Sequence, residues 1–427
     1  MNYSCHAIRH RLAVGLSLLF LSLASITQAR AATTEGVFNT FKDRLLQVRI
    51  IDKATNSKSV IGSGFFIDQQ GTIVTNFHVV SRQVFKPEEY RIEYVTHDHK
   101  VHTAELLNID VIHDLALLNG DAVDTPALHL REQALEKGVR IYTMGNPLDL
   151  GMTIVEGTYN GLTDDTMHER ILLAGALNPG MSGGPSITED GSIVGVNVAT
   201  AGNSIGFLVP EKFLHNLLLQ TRHATPPKDF MAVIRRQLLD NQNMYMKDLL
   251  AKPFPTKQLD HYSVPAKIAS YINCWGDSRD NHGPYTTADD YCAVKNNIFL
   301  NEHMSTGVIR YSHHLIKSDK LNRIRFYSLM QDYFANAQAS PGGRKDDFTR
   351  FQCKTDFVQK GELRLKTAFC LRRYKAFAGL YDMILHSASV TENHRGLITT
   401  LILTGVSYDN AVAFGKAYLE SLAWKHP

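Results

Sequence analysis

The chain has 427 residues, 44% of them hydrophobic and 20% charged, a globular composition that excludes disordered and collagen-like classes and is long enough for two domains. The net charge of +3 hides a split: residues 1–31 carry three Arg and no acid, residues 32–222 carry 15 Lys and Arg against 23 Asp and Glu, and residues 223–427 carry 27 against 19. Halves of opposite sign point to different surfaces and to mutual docking, and the acids interspersed among the bases of the second half argue against a nucleic-acid partner.

The N-terminal "RHRLAVGLSLLFLSLASITQARAA" has basic Arg9 and Arg11, an apolar run from Leu12 to about Ile26, and Ala29-x-Ala31. That order is the signature of a secretory signal, here residues 1–31, with the mature chain starting near Ala32. The apolar run is short for a membrane span of about 20 residues. No later segment is expected to span a bilayer. The expected location is exported, either periplasmic or secreted. Cys5 precedes the apolar run and is not placed as a lipid-anchor cysteine.

From about Val48 to Pro210 short apolar or alternating runs are separated by Gly, Asn and Asp. "LLQVRII", "GSGFFID", "TIVTN", "RIEYVT", "HTAELLNI", "DLALL", "RIYTMG", "MTIVEGTY", "ILLAGA", "SIVGVNVA" and "IGFLVP" read as strands of a barrel or sandwich. "EKFLHNLLLQT" reads as a closing helix and "TRHATPPKD" as a linker, so residues 32–222 form one expected unit and 223–427 another. The second unit opens with the helical "DFMAVIRRQLLDNQNMYMKDLLA" and ends with a helix near Ala411–Leu422; strands such as "GLITTLILTG" between them make it an α+β domain of unknown fold.

Cys274, Cys292, Cys353 and Cys370 all lie in this second unit, an even count in an exported chain, which reads as two disulfides. Three pairings are open, and the local one is favoured. "FQCKTDFVQKGELRLKTAFC" reads as a hairpin turning at Gly361-Glu362, which sets Cys353 opposite Cys370 in a closely spaced non-hydrogen-bonded pair. A metal site is the rival reading, but no C-x2-C pair occurs, so no metal or cofactor is expected.

Acyl transfer by a serine needs a base, a carboxylate to orient it, and N–H groups for the oxyanion. His78 in "GTIVTNFHVV", Asp114 in "HDLALL" and Ser182 in "NPGMSGGP" supply one candidate each. Gly180, two residues before Ser182, offers an amide that can point to the same spot as that of Ser182. The motifs "GSGFFIDQQGTIVTNFHVV", "DLALL", "GNPLDLGMTIVEGTYNG", "NPGMSGGP", "GSIVGVNVA" and "IGFLVP" resemble, in this order, the chymotrypsin-fold serine peptidases of the HtrA/Deg-like branch, over about residues 45–220. The resemblance implies an all-β pair of six-stranded barrels with the site between them. It implies His78 as base, Asp114 as its orienter, Ser182 as nucleophile, and Gly180 and Ser182 as oxyanion donors. Ala176, six residues before the nucleophile, then lies at the base of the S1 pocket, and the strand carrying Asn197 and Val198 forms its wall, predicting a small or medium apolar P1 residue. Gly183 and Gly184 are read as keeping bulk away from the substrate. By the same analogy "VFNTF" (Val37–Phe41) is a candidate trimer contact.

Two features depart from that family. Met181 stands where digestive relatives carry the aspartate that receives a new N-terminus, which excludes that activation route and leaves open what orders the loop. Beyond residue 223 no peptide-carboxylate-binding glycine motif of a PDZ domain is evident. Other features are read plainly: the metal-like His97, His99 and His102 as a solvated polar loop, the His313-His314 pair similarly and with no supporting carboxylate pattern, and the basic "RLKTAFCLRRYK" as an exposed strand face. The leading expectation is an exported serine endopeptidase acting on protein or peptide substrates. The alternatives are an inactive protease fold used for binding and, from G-x-S-x-G in "GMSGG", a serine esterase.

Overall fold

The computed structural model describes residues 33–425 apart from 122, 123, 125, 203, 281, 282 and 337–339; the leader pattern of residues 1–31 lies outside the described residues. After helix α1 (Thr34–Phe41), the first barrel is built from β1 (Leu45–Asp52), β2 (Ser57–Phe66), β3 (Thr72–Thr75), β4 (Tyr90–Val95), β5 (Val101–Asp110) and β6 (Leu115–Gly120). They close in the order β1-β2-β3-β6-β5-β4, with β4 returning antiparallel to β1. Leu46, Val48 and Ile50 alternate along β1 and are fully buried, as a closed sheet filled by side chains requires. Helix α2 (Phe77–Phe85) sits between β3 and β4 and buries Phe77, Val79, Val80 and Val84.

The second barrel takes β7 (His129–Leu130), β8 (Arg140–Gly145), β9 (Thr153–Leu162), β10 (Ile171–Ala174), β11 (Pro185–Ile187), β12 (Ser192–Thr200) and β13 (Ile205–Pro210). Six of them run β11-β8-β9-β10-β13-β12, and the β11–β12 pairing closes the ring, with β7 added parallel to β12. The chain therefore begins with the two six-stranded barrels expected. Val37 and Phe41 of the segment read as a trimer contact are buried in the core between α1 and the barrels, which leaves Phe38, Asn39 and Thr40 as the surface it offers.

Helix α3 (Glu211–Thr221) ends the barrels and α4 (Phe230–Leu250) follows, its N-terminus capped by Asp229, which accepts from the Ala232 amide. The C-terminal part holds β14 (Thr256–Leu259), β15 (Tyr262–Pro265), β16 (Ile272–Asp280), β17 (Thr286–Val294), β18 (Ile298–Asn301), β19 (Met304–Thr306), β20 (Ile309–Lys317), helix α5 (Arg323–Asn336), β21 (Gln352–Lys360), β22 (Leu363–Arg373), β23 (Tyr381–Ser389), β24 (Arg395–Val406), helix α6 (Tyr408–Ser421) and β25 (Ala423–Trp424). Seven strands make one antiparallel sheet in the order β16-β17-β20-β24-β23-β22-β21. Met383, Leu385, Leu401 and Leu403 pack one face on α4 and α6, while Ile316, Ala388 and Ile398 pack with Phe326 and Met330 of α5.

Both disulfides form as expected, Cys274–Cys292 and Cys353–Cys370, with Cα–Cα separations of 4.1 and 4.0 Å. Each joins directly opposed residues, β16 to β17 and β21 to β22, so each ties an outermost strand to its neighbour. Gly361 has φ +56°, and Lys360 pairs with Leu363 across it, as the hairpin reading requires.

The two halves meet through a shared core. Val79, Val84, Leu106, Ile109 and Val111 of the first barrel cluster with Val233, Ile234 and Leu238 of α4, Ile298, Leu300 and Met304 of β18–β19, and Phe348, Tyr374, Phe377 and Leu380. Opposite net charge is not what joins them. Of the two ion pairs crossing the junction among the described residues, Lys267–Asp165 (3.4 Å) has the polarity expected from composition and Arg82–Glu302 the reverse.

Candidate active site

His78 is the second residue of α2, placed there because Asn76, extended at φ −87° and ψ 152°, ends β3 and starts the helix. The His78 amide donates to Asp114 Oδ1 at 2.8 Å, and its ring Nδ1 lies 2.6 Å from Asp114 Oδ2. With Nδ1–H given to the carboxylate, Nε2 is left as the proton acceptor. Asp114 precedes β6 at φ +63°, a left-handed conformation that Asp tolerates, and it is 9% exposed. Its carbonyl accepts from Asn76 Nδ2 at 2.7 Å, and Gln237 of α4 clasps the chain just upstream, accepting from Val111 N–H (2.9 Å) and donating to the Ile109 carbonyl (2.7 Å). Burial opposes protonation of His78, but the charge and hydrogen bond of Asp114 together outweigh it and raise the His78 pKa above 6.5.

The loop before β11 carries Ser182. Met181 N–H donates to the Asn178 carbonyl at 3.0 Å, and Gly180 has φ +96°. Proline cannot take positive φ, so Pro179-Gly180 can only close this as a type II turn. The turn leaves the Gly180 and Ser182 amides without an acceptor among the described residues. Ser63 fixes the loop from β2: its hydroxyl donates to the Gly180 carbonyl (2.7 Å) and accepts from the Asn146 amide (2.9 Å), and its own amide donates to the Ser182 carbonyl (2.7 Å). Met181 is 1% exposed in an apolar cluster with Ile141, Leu173, Val194 and Leu208. Apolar burial, rather than an ion pair, holds this end of the loop.

Among the described residues no hydrogen bond joins Ser182 Oγ to His78; the hydroxyl makes a long contact of 3.5 Å to the Val198 carbonyl. Val198 is the extra residue of a bulge in β12, where the register on β13 shifts between Asn197 and Ala199. Asn197, read as pocket wall, is 1% exposed, and its side chain spans the Met144 and Met181 carbonyls (2.9 and 3.2 Å) and Ser186 Oγ (2.8 Å). It is a strut beneath the loop, not a pocket lining. Gly183 and Gly184 also need correction. A Cβ on Gly183 would lie 2.3 Å from the Ser63 carbonyl, and one on Gly184 2.1 Å from that of Met144, so these glycines let backbones pack inside the protein rather than clear room for substrate. Ala176 is half-buried and lies outside the cleft next to His78.

That cleft encloses about 400 Å³ and is lined on the barrel side by His78, Asp114, Arg170 and Val198. Residues 62–196 match the family described as trypsin-like peptidase domain. Residues 62–196 are a trypsin-like peptidase domain. Its relatives are of the HtrA/DegP type. The protein named "Probable periplasmic serine endoprotease DegP-like" of Chlamydia muridarum is 32% identical over 163 residues, covering 36% of this chain and 32% of the relative. "Protease Do-like 1, chloroplastic" of Arabidopsis thaliana is 31% identical over 168 residues, covering 35% and 36%. A solved structure, the serine endoprotease from Yersinia pestis, aligns with a TM-score of 0.40 at 22% identity over 45% of this chain and 68% of that one. The chain spans about a third of the length of the curated relatives it matches.

The peptidase domain does not line the cleft alone. Lys295, Asn296, Asn297, Ile298 and Phe299, from the C-terminal half, form its far wall. Phe299 meets His78 edge-on at 6.0 Å between ring centroids. Next to it Arg82 of α2 pairs with Glu302, 220 positions away in the chain. Sequence reasoning missed Ser63, although it lies within the quoted "GSGFF", and it had no signal for the 295–299 wall, because nothing local ties those residues to His78.

Proposed function

We propose that this chain is an exported serine endopeptidase that hydrolyses protein substrates through Ser182, His78 and Asp114. Residues 32–222 are the catalytic unit in this reading, and 223–427 a second unit that completes the cleft. The observation that carries it is the doubly bonded His78–Asp114 pair, and it is supported by a turn whose Gly180 and Ser182 amides have no acceptor among the described residues. His78 Nε2 takes the Ser182 proton as Oγ attacks the scissile carbonyl, and the Gly180 and Ser182 amides receive the oxyanion. The protonated imidazole, held by Asp114, then passes its proton to the leaving amine. Water, deprotonated by the same nitrogen, releases the acyl group. Export is supported by the leader pattern, by the two disulfides and by a relative whose name is periplasmic. An apolar P1 preference rests on the sequence resemblance alone, since Ala176 lies outside the cleft next to His78.

A fluorophosphonate probe tests the reading. It should label wild-type protein and not Ser182→Ala, and casein cleavage should fall by on the order of 10⁴ to 10⁶ in Ser182→Ala or His78→Ala. Wild-type turnover in either variant sinks the triad. The long Ser182 Oγ–Val198 contact favours a second reading, a protease fold that binds without cutting, and absence of any labelling would select it.

A further inference from the structure

The cleft beside His78 has two walls from different halves of the chain, and each contributes a cation. Arg170 enters from the start of β10, and Lys295 from the segment leading into β18. Neither has a carboxylate partner among the described residues. Among the described residues the Arg170 guanidinium makes one hydrogen bond, a 3.4 Å contact from Nη1 to the Glu169 carbonyl. Two carboxylates act on Arg170 through space, and both are committed elsewhere: Asp114 to His78, and Asp110 to His113 at 2.6 Å. Burial disfavours the Arg170 charge, and the fields of Asp114 and Asp110 only offset this in part. A half-buried guanidinium with no carboxylate hydrogen-bonded to it is a costly arrangement, and its fork of donors matches a carboxylate. Ile112 and Phe299 make the adjoining surface apolar, which strengthens attraction between charges that enter.

We propose that Arg170 and Lys295 form a subsite for an acidic side chain, so that the preferred substrates of this cleft carry Asp or Glu close to the scissile bond. The proposal rests on the endopeptidase reading and names the substrate class of the same site. The bulged Val198 and Ala199 supply a strand edge along which a substrate backbone lies extended, and alternate side chains of an extended segment face one way. A side chain directed between the walls meets Arg170 on one side and Lys295 on the other. The second cation belongs to the half of the chain that carries the excess of Lys and Arg. The C-terminal half thereby takes part in choosing the substrate.

The test uses full-length Ser182→Ala protein, which holds peptides without turnover, and fluorescence polarisation with matched labelled peptides. The peptides differ only in Glu or Gln at each position flanking a common apolar P1. At low salt the best Glu peptide should bind about tenfold more tightly than its Gln partner, and the gap should shrink as salt is added. Arg170→Gln should narrow the gap. Lys295→Glu, at an exposed position, should reverse it in favour of the Gln peptide. Equal binding of Glu and Gln peptides at every position, no measurable binding of any acidic peptide, or unchanged selectivity in Lys295→Glu would overturn the subsite. Binding is read without catalysis, so failure of fluorophosphonate labelling in the wild-type chain would sink the endopeptidase reading by a separate measurement.

Discussion

At the scale of single residues, His78 and Met181 make the sharpest predictions. The carboxylate of Asp114 raises the His78 pKa above 6.5, and the proposed base must be unprotonated at Nε2. The acid limb of a kcat/KM profile should therefore have its midpoint above 6.5, and Asp114→Asn, which leaves burial as the dominant influence, should move it below that value while lowering kcat by on the order of 10⁴. A midpoint that stays put in Asp114→Asn would remove Asp114 from the site. Stability has the opposite sign. A raised folded-state pKa stabilises most below the unfolded value, and that contribution is lost as pH rises through the folded one. The pair thus favours folding where it disfavours catalysis. Met181→Asp places a carboxylate with no partner in an apolar cluster and should cost on the order of 3 kcal/mol, together with activity, whereas Met181→Leu should stay within about 1.5 kcal/mol in a denaturant titration. The candidate triad was legible in the sequence because each member sits in a short distinctive stretch. Asn197 and Gly183 were named for the wrong reason, since flanking letters do not reveal which way a side chain points. Pro179-Gly180 by itself marks the type II turn, with proline at its first central position and glycine at its second.

Elements with strong periodicity were legible almost to their ends. The helix over Glu211–Thr221 and the hairpin across Gly361-Glu362 follow the sequence pattern directly. Short pieces were not: β7 has two residues and β11 three, too few for any alternation to register. In residues 256–345 the hairpins β14–β15, β16–β17 and β18–β19 are local, but distant pairing of β15 with β25 and of β20 with β24 places them, and no local pattern marks that. Strand β21 is exposed along nearly its whole length, pairs on one side only, and has Cys353–Cys370 as a covalent tether. A bridge closing a loop of this size stabilises by about 3 kcal/mol. Replacing both cysteines by serine should lower the melting temperature and speed amide exchange in β21 before it does so in β23 or β24. Uniform exchange across the sheet in that variant would show that the tether does not hold the edge.

At the scale of the whole molecule, the apolar cluster linking the first barrel, α4, β18–β19 and residues 348–380 makes the halves one folding unit. Calorimetry of the full chain should show a single cooperative transition, and two well-separated peaks would contradict it. A fragment ending at residue 222 exposes Val79, Val84 and Ile109 and should aggregate or expose its helix α2 to proteolysis. The shared cluster also imposes an order in time. Synthesis delivers β1 to β6 and the His78 helix early, but the residues that cover that helix follow much later in the chain, so a nascent protein carries its reactive groups on a barrel that is not yet closed over. On the proposed endopeptidase reading, competence to cut then comes only with the last third of translation, which spares neighbouring chains from a half-made protease.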